Sequence, residues 1–178
     1  MTVFRPHAVT ALGVHATSHG FGWVAFEGPL SLYDFGTTRA TDNKNDMSMR
    51  RFERLLERFQ PETLIMEAFE GIGARRSQRV IRLCRSMIAS AAVRGMSVAV
   101  YRRGEVRANF AHLGAVDRHD IAQALTRLFD VLRPSLPPRR HAWEMANDRM
   151  GVFNAAAVVL THFQLDAQTM LQGLDDNC

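Results

Sequence analysis

Two apolar stretches each carry one polar side chain near the end, and these two side chains are the first candidates for chemistry. His15 lies in the stretch Val9–Ala25, and Glu67 lies in Thr63–Phe69. If both stretches form buried neighbouring strands, the imidazole and the carboxylate meet side by side. Both groups are common metal ligands, so this arrangement predicts a site for a metal ion or a phosphate group.

Arginine dominates the positive charge of the chain. All but one of the 22 basic residues are arginine, the exception being Lys44, and the net charge is +4. Arginine binds phosphate through two donors at once, which favours nucleic-acid binding. A bias toward arginine codons would give the same composition, so the placement of the arginines has to separate the two explanations.

One helix carries arginines without neighbouring acids. Within Arg75–Arg94, the side opposite the apolar residues holds arginines at spacings of four, three and three, namely Arg75, Arg79, Arg82 and Arg85. Like charges one turn apart repel each other unless an anion lies opposite. This face predicts phosphate contacts, with a solvated face as the alternative. In the preceding helix Met49–Phe59 the arginines alternate with Glu53 and Glu57, which indicates a solvated face.

Composition limits the class of protein. A chain of 178 residues with 47% hydrophobic content is expected to form one domain, 1–165, followed by a polar tail, 166–178. Two cysteines, Cys84 and Cys178, argue against a disulfide framework or a cysteine zinc site. No apolar segment is long enough to span a bilayer and no signal sequence is evident, so we expect a soluble cytoplasmic protein without membrane contact.

The elements expected to position these residues begin with three antiparallel strands, Thr10–Ala16, Gly22–Glu27 and Leu30–Phe35. A loop over Thr37–Ser48 follows, with Ser48 as the cap of the next helix. The later elements are, in order, helix Met49–Phe59, strand Thr63–Phe69, helix Arg75–Arg94, strand Ser97–Tyr101, and helices Gly104–His112, Asp117–Leu132 and Asp148–Phe163. This order predicts an α/β fold with a mixed five-stranded sheet, three antiparallel then two parallel strands, flanked by helices.

Several motifs follow one another in an order that one family shares. Gly13-Val14-His15-Ala16-Thr17 is followed by Gly22-Trp23, and Gln60–Glu67 reads as a proline followed by a strand ending in glutamate. Further matches are Gln78–Gly95, Val98–Tyr101, Glu105–Arg107, Asp117–Ile121, Gly151–Ala155 and Leu160–His162. No single motif is specific, but the ordered set resembles the RuvC Holliday-junction resolvases of the ribonuclease H-like superfamily.

The resemblance implies a ribonuclease H-like fold, a homodimer and two-metal cleavage of branched DNA by four carboxylates, with Mg²⁺ or Mn²⁺ as the cofactor. This chain departs from that pattern at the acids. His15 stands where the family has the first aspartate, and Gly151 and Asn154 replace the two helix acids, so only Glu67 remains. The candidate metal ligands are therefore His15, Glu67 and Asn154.

Two further acids could take part in such a site. Asp148, one turn before Gly151, is a candidate catalytic substitute, with a helix-capping role as the alternative. Glu70 lies just beyond the strand that carries Glu67 and is otherwise a solvated loop residue. A softer ion such as Mn²⁺ or Zn²⁺ would accept histidine and amide ligands more readily than Mg²⁺ does.

For nucleic-acid contacts, the resemblance adds the segment around Arg102, Arg103, Arg107 and Arg118 to the arginines of the helix face. Arg118 stands where the family has a phosphate-contacting lysine. Two functions stay open: a metal-dependent, structure-selective endonuclease on branched DNA with an atypical site, or a catalytically inactive subunit that binds double-stranded or branched DNA, or a protein. The sugar-kinase and actin branch of the superfamily would need glycine-rich phosphate loops and a duplicated domain, and the chain has neither.

Overall fold

A mixed five-stranded sheet forms the centre of the protein. The structure, a computed structural model, describes residues 9–141 and 147–175, with side chains described up to residue 172. The strands are β1 (Ala11–Ala16), β2 (Gly20–Gly28), β3 (Ser31–Arg39), β4 (Thr63–Glu67) and β5 (Ser97–Tyr101), in the spatial order β3-β2-β1-β4-β5. The pairs β1–β2 and β2–β3 are antiparallel, and β1–β4 and β4–β5 are parallel. The predicted sheet is confirmed.

Helices cover both faces of this sheet. They are α1 (Lys44–Phe59), α2 (Gln78–Val93), α3 (Arg103–Phe110), α4 (Arg118–Leu128) and α5 (Met150–Asp175), with 3₁₀ turns at Ala111–Leu113 and Asp130–Ser135. One buried cluster joins the sheet to α1 and α2, and a second joins it to α3, α4 and α5. The strands next to the centre are buried on both sides, which is why their sequences are almost continuously apolar.

The loop predicted over Thr37–Ser48 was wrong. Strand β3 continues to Arg39, and α1 already begins at Lys44. Its N-cap is Asn43, with a left-handed φ of 40°, so Ser48 lies inside the helix and is buried instead of capping it. The first turn of α1 is polar and lacks an apolar stripe, and that stripe was the signal used to place the helix start.

The bounds of the four later helices also differ from the sequence expectation, and the predicted helix Gly104–His112 is α3, Arg103–Phe110. Helix α2 begins at Gln78 because Ser77 caps it, its Oγ accepting from the amide of Val80 at 3.3 Å. Helix α4 ends at Leu128, and a 3₁₀ turn that contains Pro134 takes up the rest of the predicted helix. The predicted end of the last helix at Phe163 was wrong, because α5 continues to Asp175. In the described part of the chain, no helix is both long and apolar enough to cross a membrane.

Helix α5 packs on the sheet at very close range through glycines. A Cβ atom added at Gly22 of β2 would lie 2.2 Å from the carbonyl carbon of Gly151 and 2.4 Å from the amide nitrogen of Val152. A Cβ atom at Gly13 of β1 would lie 2.4 Å from Val159 Cγ2. The contact at Gly22 places the first turn of α5 against the start of β2, beside His15, which pairs with Gly22.

Gly22→Ala is therefore expected to destabilise the protein by about 3 kcal/mol or more, because the new methyl group would meet helix backbone that cannot move aside without shifting α5. Gly28→Ala, in the same strand but with no atom within 4 Å of the added Cβ, is the control. Urea unfolding of both variants measures the effect. Equal stability of the two variants would show that α5 does not approach β2 this closely.

Candidate nucleic-acid interface

The ends of β1 and β4 bring the two polar candidates to one cleft. Strands β1 and β4 are parallel neighbours whose last pair is Val14 and Met66, so His15 and Glu67 are the next residues of the two strands. Both line a cleft of about 1590 Å³, together with Asn154 from the first turns of α5. The other walls are the loop before α2, the start of α3 and the start of α4.

His15 is buried and its ring accepts hydrogen bonds. The guanidinium NH2 of Arg76 lies 3.0 Å from His15 Nε2, and Asn154 Nδ2 lies 3.3 Å from the same nitrogen. A guanidinium can only donate, so Nε2 must be the unprotonated nitrogen, and in the neutral ring Nδ1 carries the proton. Arg76 also donates from NH1 to the carbonyl oxygen of Ala16 at 3.2 Å, which anchors the guanidinium at the end of β1.

The same surroundings keep the His15 ring neutral. Burial, followed by the positive charges of Arg76 and Arg118, holds the pKa of His15 well below its usual value of 6.5. His15 is only 7% exposed. The imidazole lone pair is thus free of a proton, but it is engaged by an arginine.

Glu67 is engaged by a second arginine. Arg118 NH2 donates to Glu67 Oε1 at 2.7 Å, and the Glu67 side chain is 9% exposed. Arg118 is the first residue of α4, which Asp117 caps by accepting from the amide of Asp120 at 2.9 Å. Arg139 pairs with both of these aspartates, so the start of α4, and Arg118 with it, is tied down from outside.

The residues at this site do not fit a divalent ion. Of the three candidate ligands His15, Glu67 and Asn154, one is a carboxylate: Glu67 neutralises Arg118, while the ring nitrogen of His15 faces Arg76. Across the described ranges, no group of three His, Cys, Asp or Glu side chains is placed to hold a metal ion. Mg²⁺ prefers several charged oxygen ligands and would be repelled by the two guanidiniums.

The two further candidate acids, Asp148 and Glu70, lie elsewhere in the cleft. Asp148 contacts His19 Nδ1 at 3.2 Å and Arg39 Nε at 3.7 Å, not His15. Glu70 pairs with Arg85. The position of Gly151 has little room for an acid, since an added Cβ would lie 3.0 Å from the amide nitrogen of Gly22.

Ser18, His19 and Asp148 come together but do not form a hydrolase triad. Ser18 Oγ lies 3.1 Å and Asp148 Oδ1 3.3 Å from the same ring nitrogen, Nδ1 of His19. A triad needs the serine and the carboxylate on opposite nitrogens of the ring. The buried thiol of Cys84 is no nucleophile either, because burial raises its pKa to about 12.

The predicted arginines divide between the cleft and its surroundings. Arg75, Arg107 and Arg118 line the cleft, whereas Arg79, Arg82 and Arg85 of α2 do not. Arg79 is used inside the fold, donating to Asn45 Oδ1 at 2.8 Å and to the carbonyl oxygens of Thr17 at 2.9 Å and Ser18 at 3.0 Å.

Arg102 and Arg103, which the resemblance assigns to the nucleic-acid face, line the same cleft. Three further cleft arginines were not predicted from the sequence, namely Arg76, Arg139 and Arg140. Helical periodicity could not find them, since none lies on the α2 face. The available signal was their place beside other arginines, directly before α2 and after the proline-rich segment. Among the described residues, eight arginines and five carboxylates line the cleft, so this part of its wall is predominantly positive.

The neutral state of His15 predicts a pH dependence of stability. Below pH 6.5 the unfolded chain takes up a proton at His15 and the folded chain does not, so the free energy of unfolding decreases as the pH falls. Between pH 7.5 and 5.5 this costs about 1.4 kcal/mol. His15→Gln removes the titrating group but keeps an acceptor for Arg76. Between pH 7.5 and 5.5 we expect the free energy of unfolding of this variant to fall by about 1.4 kcal/mol less than that of the wild type. Identical pH profiles for both proteins, measured by urea unfolding, would contradict the assignment.

Comparison with known proteins places this geometry in a fold. No protein-family model and no curated protein matches the sequence. Among solved structures, RuvC of Thermus thermophilus matches with 17% identity and a TM-score of 0.58 over 85% of this chain and 91% of that one. The T. thermophilus RuvC in complex with Holliday junction substrate matches with 15% identity and a TM-score of 0.62, over 89% of this chain and 96% of that one. The chain has the RuvC-like resolvase fold.

The yeast mitochondrial Holliday junction resolvase Ydc2 matches as well, with 13% identity and a TM-score of 0.59 over 91% of this chain and 81% of that one. Together with the sheet order, these matches confirm the predicted ribonuclease H-like, RuvC-like fold. At such low identity they establish the fold, and the chemistry depends on the side chains of the cleft.

Proposed function

We propose that this protein binds nucleic acid, with branched or double-stranded DNA as the expected ligand, in the arginine-lined cleft and without cutting it. The observation that carries the proposal is the pairing of His15 with Arg76 and of Glu67 with Arg118. These pairs take up the two side chains that a metal-dependent nuclease of this fold would use. The binding role fits the charge of the cleft, and the catalytic role does not fit its ligands.

The charge of the cleft walls supports a polyanionic ligand. Arg75, Arg102, Arg103 and Arg107 are exposed, and within the described residues none of them has a side-chain ion pair. Guanidiniums of this kind contact the phosphate backbone and fix its position, but they do not read the base sequence. We therefore expect binding that depends on the shape of the nucleic acid and on salt, with little sequence preference.

A metal-dependent endonuclease on branched DNA is the second candidate, favoured by the matched resolvase structures and by the retained Glu67. For cleavage, Arg76 would have to leave His15, and Arg118 would have to leave Glu67. Two metal ions would then have to bind at a site with one carboxylate. The homodimer implied by the resemblance stays a prediction.

The proposal is tested by fluorescence anisotropy with a labelled four-way junction and a linear duplex of the same length, in EDTA, over a range of salt concentrations. We expect both ligands to bind and log Kd to rise linearly with log salt, with the junction bound more tightly because it fills more of the cleft. A single-stranded oligonucleotide serves as the control for shape. Absence of binding to every ligand at low salt would overturn the proposed function.

A further inference from the structure

The inner end of the cleft holds an unusual density of positive charge around one carboxylate. Arg76, Arg103 and Arg118 all interact electrostatically with Glu67 and with one another. Glu67 accepts its hydrogen bond from Arg118 alone of these three. One negative charge thus faces three positive ones in a partly buried place.

Neighbouring arginines lower the pKa of two members of this group, Arg76 and Arg103. The charge of Arg118 is the main cause that lowers the pKa of Arg103, with burial second. Burial lowers the pKa of Arg76. The negative charge of Glu67 opposes this lowering, and the positive charges of Arg118 and Arg103 increase it. All three arginines line the same cleft, and their combined positive charge favours the binding of an anion there.

The three guanidiniums also have more N–H donors than the described hydrogen bonds use. A guanidinium has five N–H donors. Arg76 uses NH1 for the Ala16 carbonyl and NH2 for His15, and Arg118 uses NH2 for Glu67. Arg103 has no hydrogen bond from its guanidinium among the described contacts. A planar guanidinium can donate two parallel hydrogen bonds to two oxygens of one phosphate group.

We propose that Arg76, Arg103 and Arg118 form a metal-independent binding site for one phosphate group of the nucleic-acid backbone, where a nuclease of this fold would hold its divalent ions. His15 and Glu67 act as positioning residues, the first by accepting from Arg76 and the second by holding Arg118. The inference rests on the proposed function for the origin of the phosphate, but the site itself is defined by the three arginines.

The site can be tested without DNA. Thermal unfolding of the full chain is measured in sodium phosphate and in sodium chloride at matched ionic strength, for the wild type, Arg103→Gln and the control Arg82→Gln. Arg103 is exposed, so its variant is expected to fold. At about ten times the dissociation constant, phosphate is expected to raise the Tm of the wild type and of Arg82→Gln by about 3–6 °C. Arg103→Gln should lose most of that rise.

A second measurement links the site to the nucleic acid. Phosphate should displace the labelled duplex from the wild type more effectively than chloride does at equal ionic strength, and this difference should be lost in Arg103→Gln. DNA binding without any specific phosphate effect would overturn the site and leave the proposed function standing. A phosphate effect that Arg103→Gln removes, with no DNA binding, would keep the site and overturn the function.

Discussion

Glu67→Gln is expected to lower the free energy of unfolding by about 2–4 kcal/mol. The substitution removes the carboxylate that neutralises Arg118 in a place where the Glu67 side chain is 9% exposed. Breaking a buried ion pair from one side leaves an uncompensated charge, and here Arg76 and Arg103 add to the repulsion. The partial exposure of Arg118, 30%, keeps the expected loss below that of a fully buried pair.

The sign of this effect separates two kinds of site. In a cleft built of clustered carboxylates for metal ions, neutralising one acid relieves repulsion and stabilises the metal-free protein. Glu70→Gln is a matched control, because Glu70 is also paired with an arginine, Arg85, but both side chains are largely exposed. We expect it to change stability by less than about 1 kcal/mol. Urea unfolding in EDTA measures both variants, and a stabilised Glu67→Gln would contradict the ion-pair assignment.

Replacing Arg75 and Arg107 together by glutamine is expected to raise the Kd for duplex DNA by about 10- to 100-fold at low salt, and to lower the slope of log Kd against log salt by about two. Both residues are exposed and line the cleft. Each removed phosphate contact reduces the number of counterions that DNA binding releases.

The double variant Arg82→Gln/Arg85→Gln is the comparison. It removes the same charge from α2, but at residues that do not line the cleft, and one of them is already paired with Glu70. We expect a change in Kd of no more than about 3-fold from this variant, through long-range charge alone. If this pair instead had the larger effect in anisotropy titrations, the outer face of α2 and not the cleft would bind DNA.

The fold was predictable because its signals are local and repeated. Alternating and continuous apolar runs identified all five strands, and their order with the helices predicted the mixed sheet correctly. The start of α1 and the end of α5 were missed for one shared reason. Both segments are helical but largely exposed, so they lack the apolar stripe on which the prediction depended.

The site was predictable only in part. The register of β1 and β4 explains why His15 and Glu67 line one cleft, and this followed from two apolar runs with a polar residue near each end. Arg76 could not be found in the same way. It lies in a loop 61 residues away from His15 along the chain, and only the tertiary fold brings its guanidinium to the ring.

Arg118 illustrates a second limit. The resemblance places Arg118 where the family has a phosphate-contacting lysine. The contact of Arg118 with Glu67 was not predictable from the sequence. The resemblance implies that His15, Gly151 and Asn154 stand where the family has acids, and from the sequence this indicated a weakened metal site. The contacts of Arg76 with His15 and of Arg118 with Glu67 explain why uncharged residues fit at these positions, since a site without metal ions needs fewer negative charges.

The most direct test is one titration of a labelled four-way DNA junction in EDTA, Mg²⁺ and Mn²⁺ at equal ionic strength, followed by a denaturing gel. A cleft that binds phosphate through arginines predicts binding in EDTA that neither Mg²⁺ nor Mn²⁺ strengthens, and intact strands throughout. Binding that needs a divalent ion, or strand cleavage that the Glu67→Gln variant abolishes, would contradict metal-independent binding and identify a working nuclease.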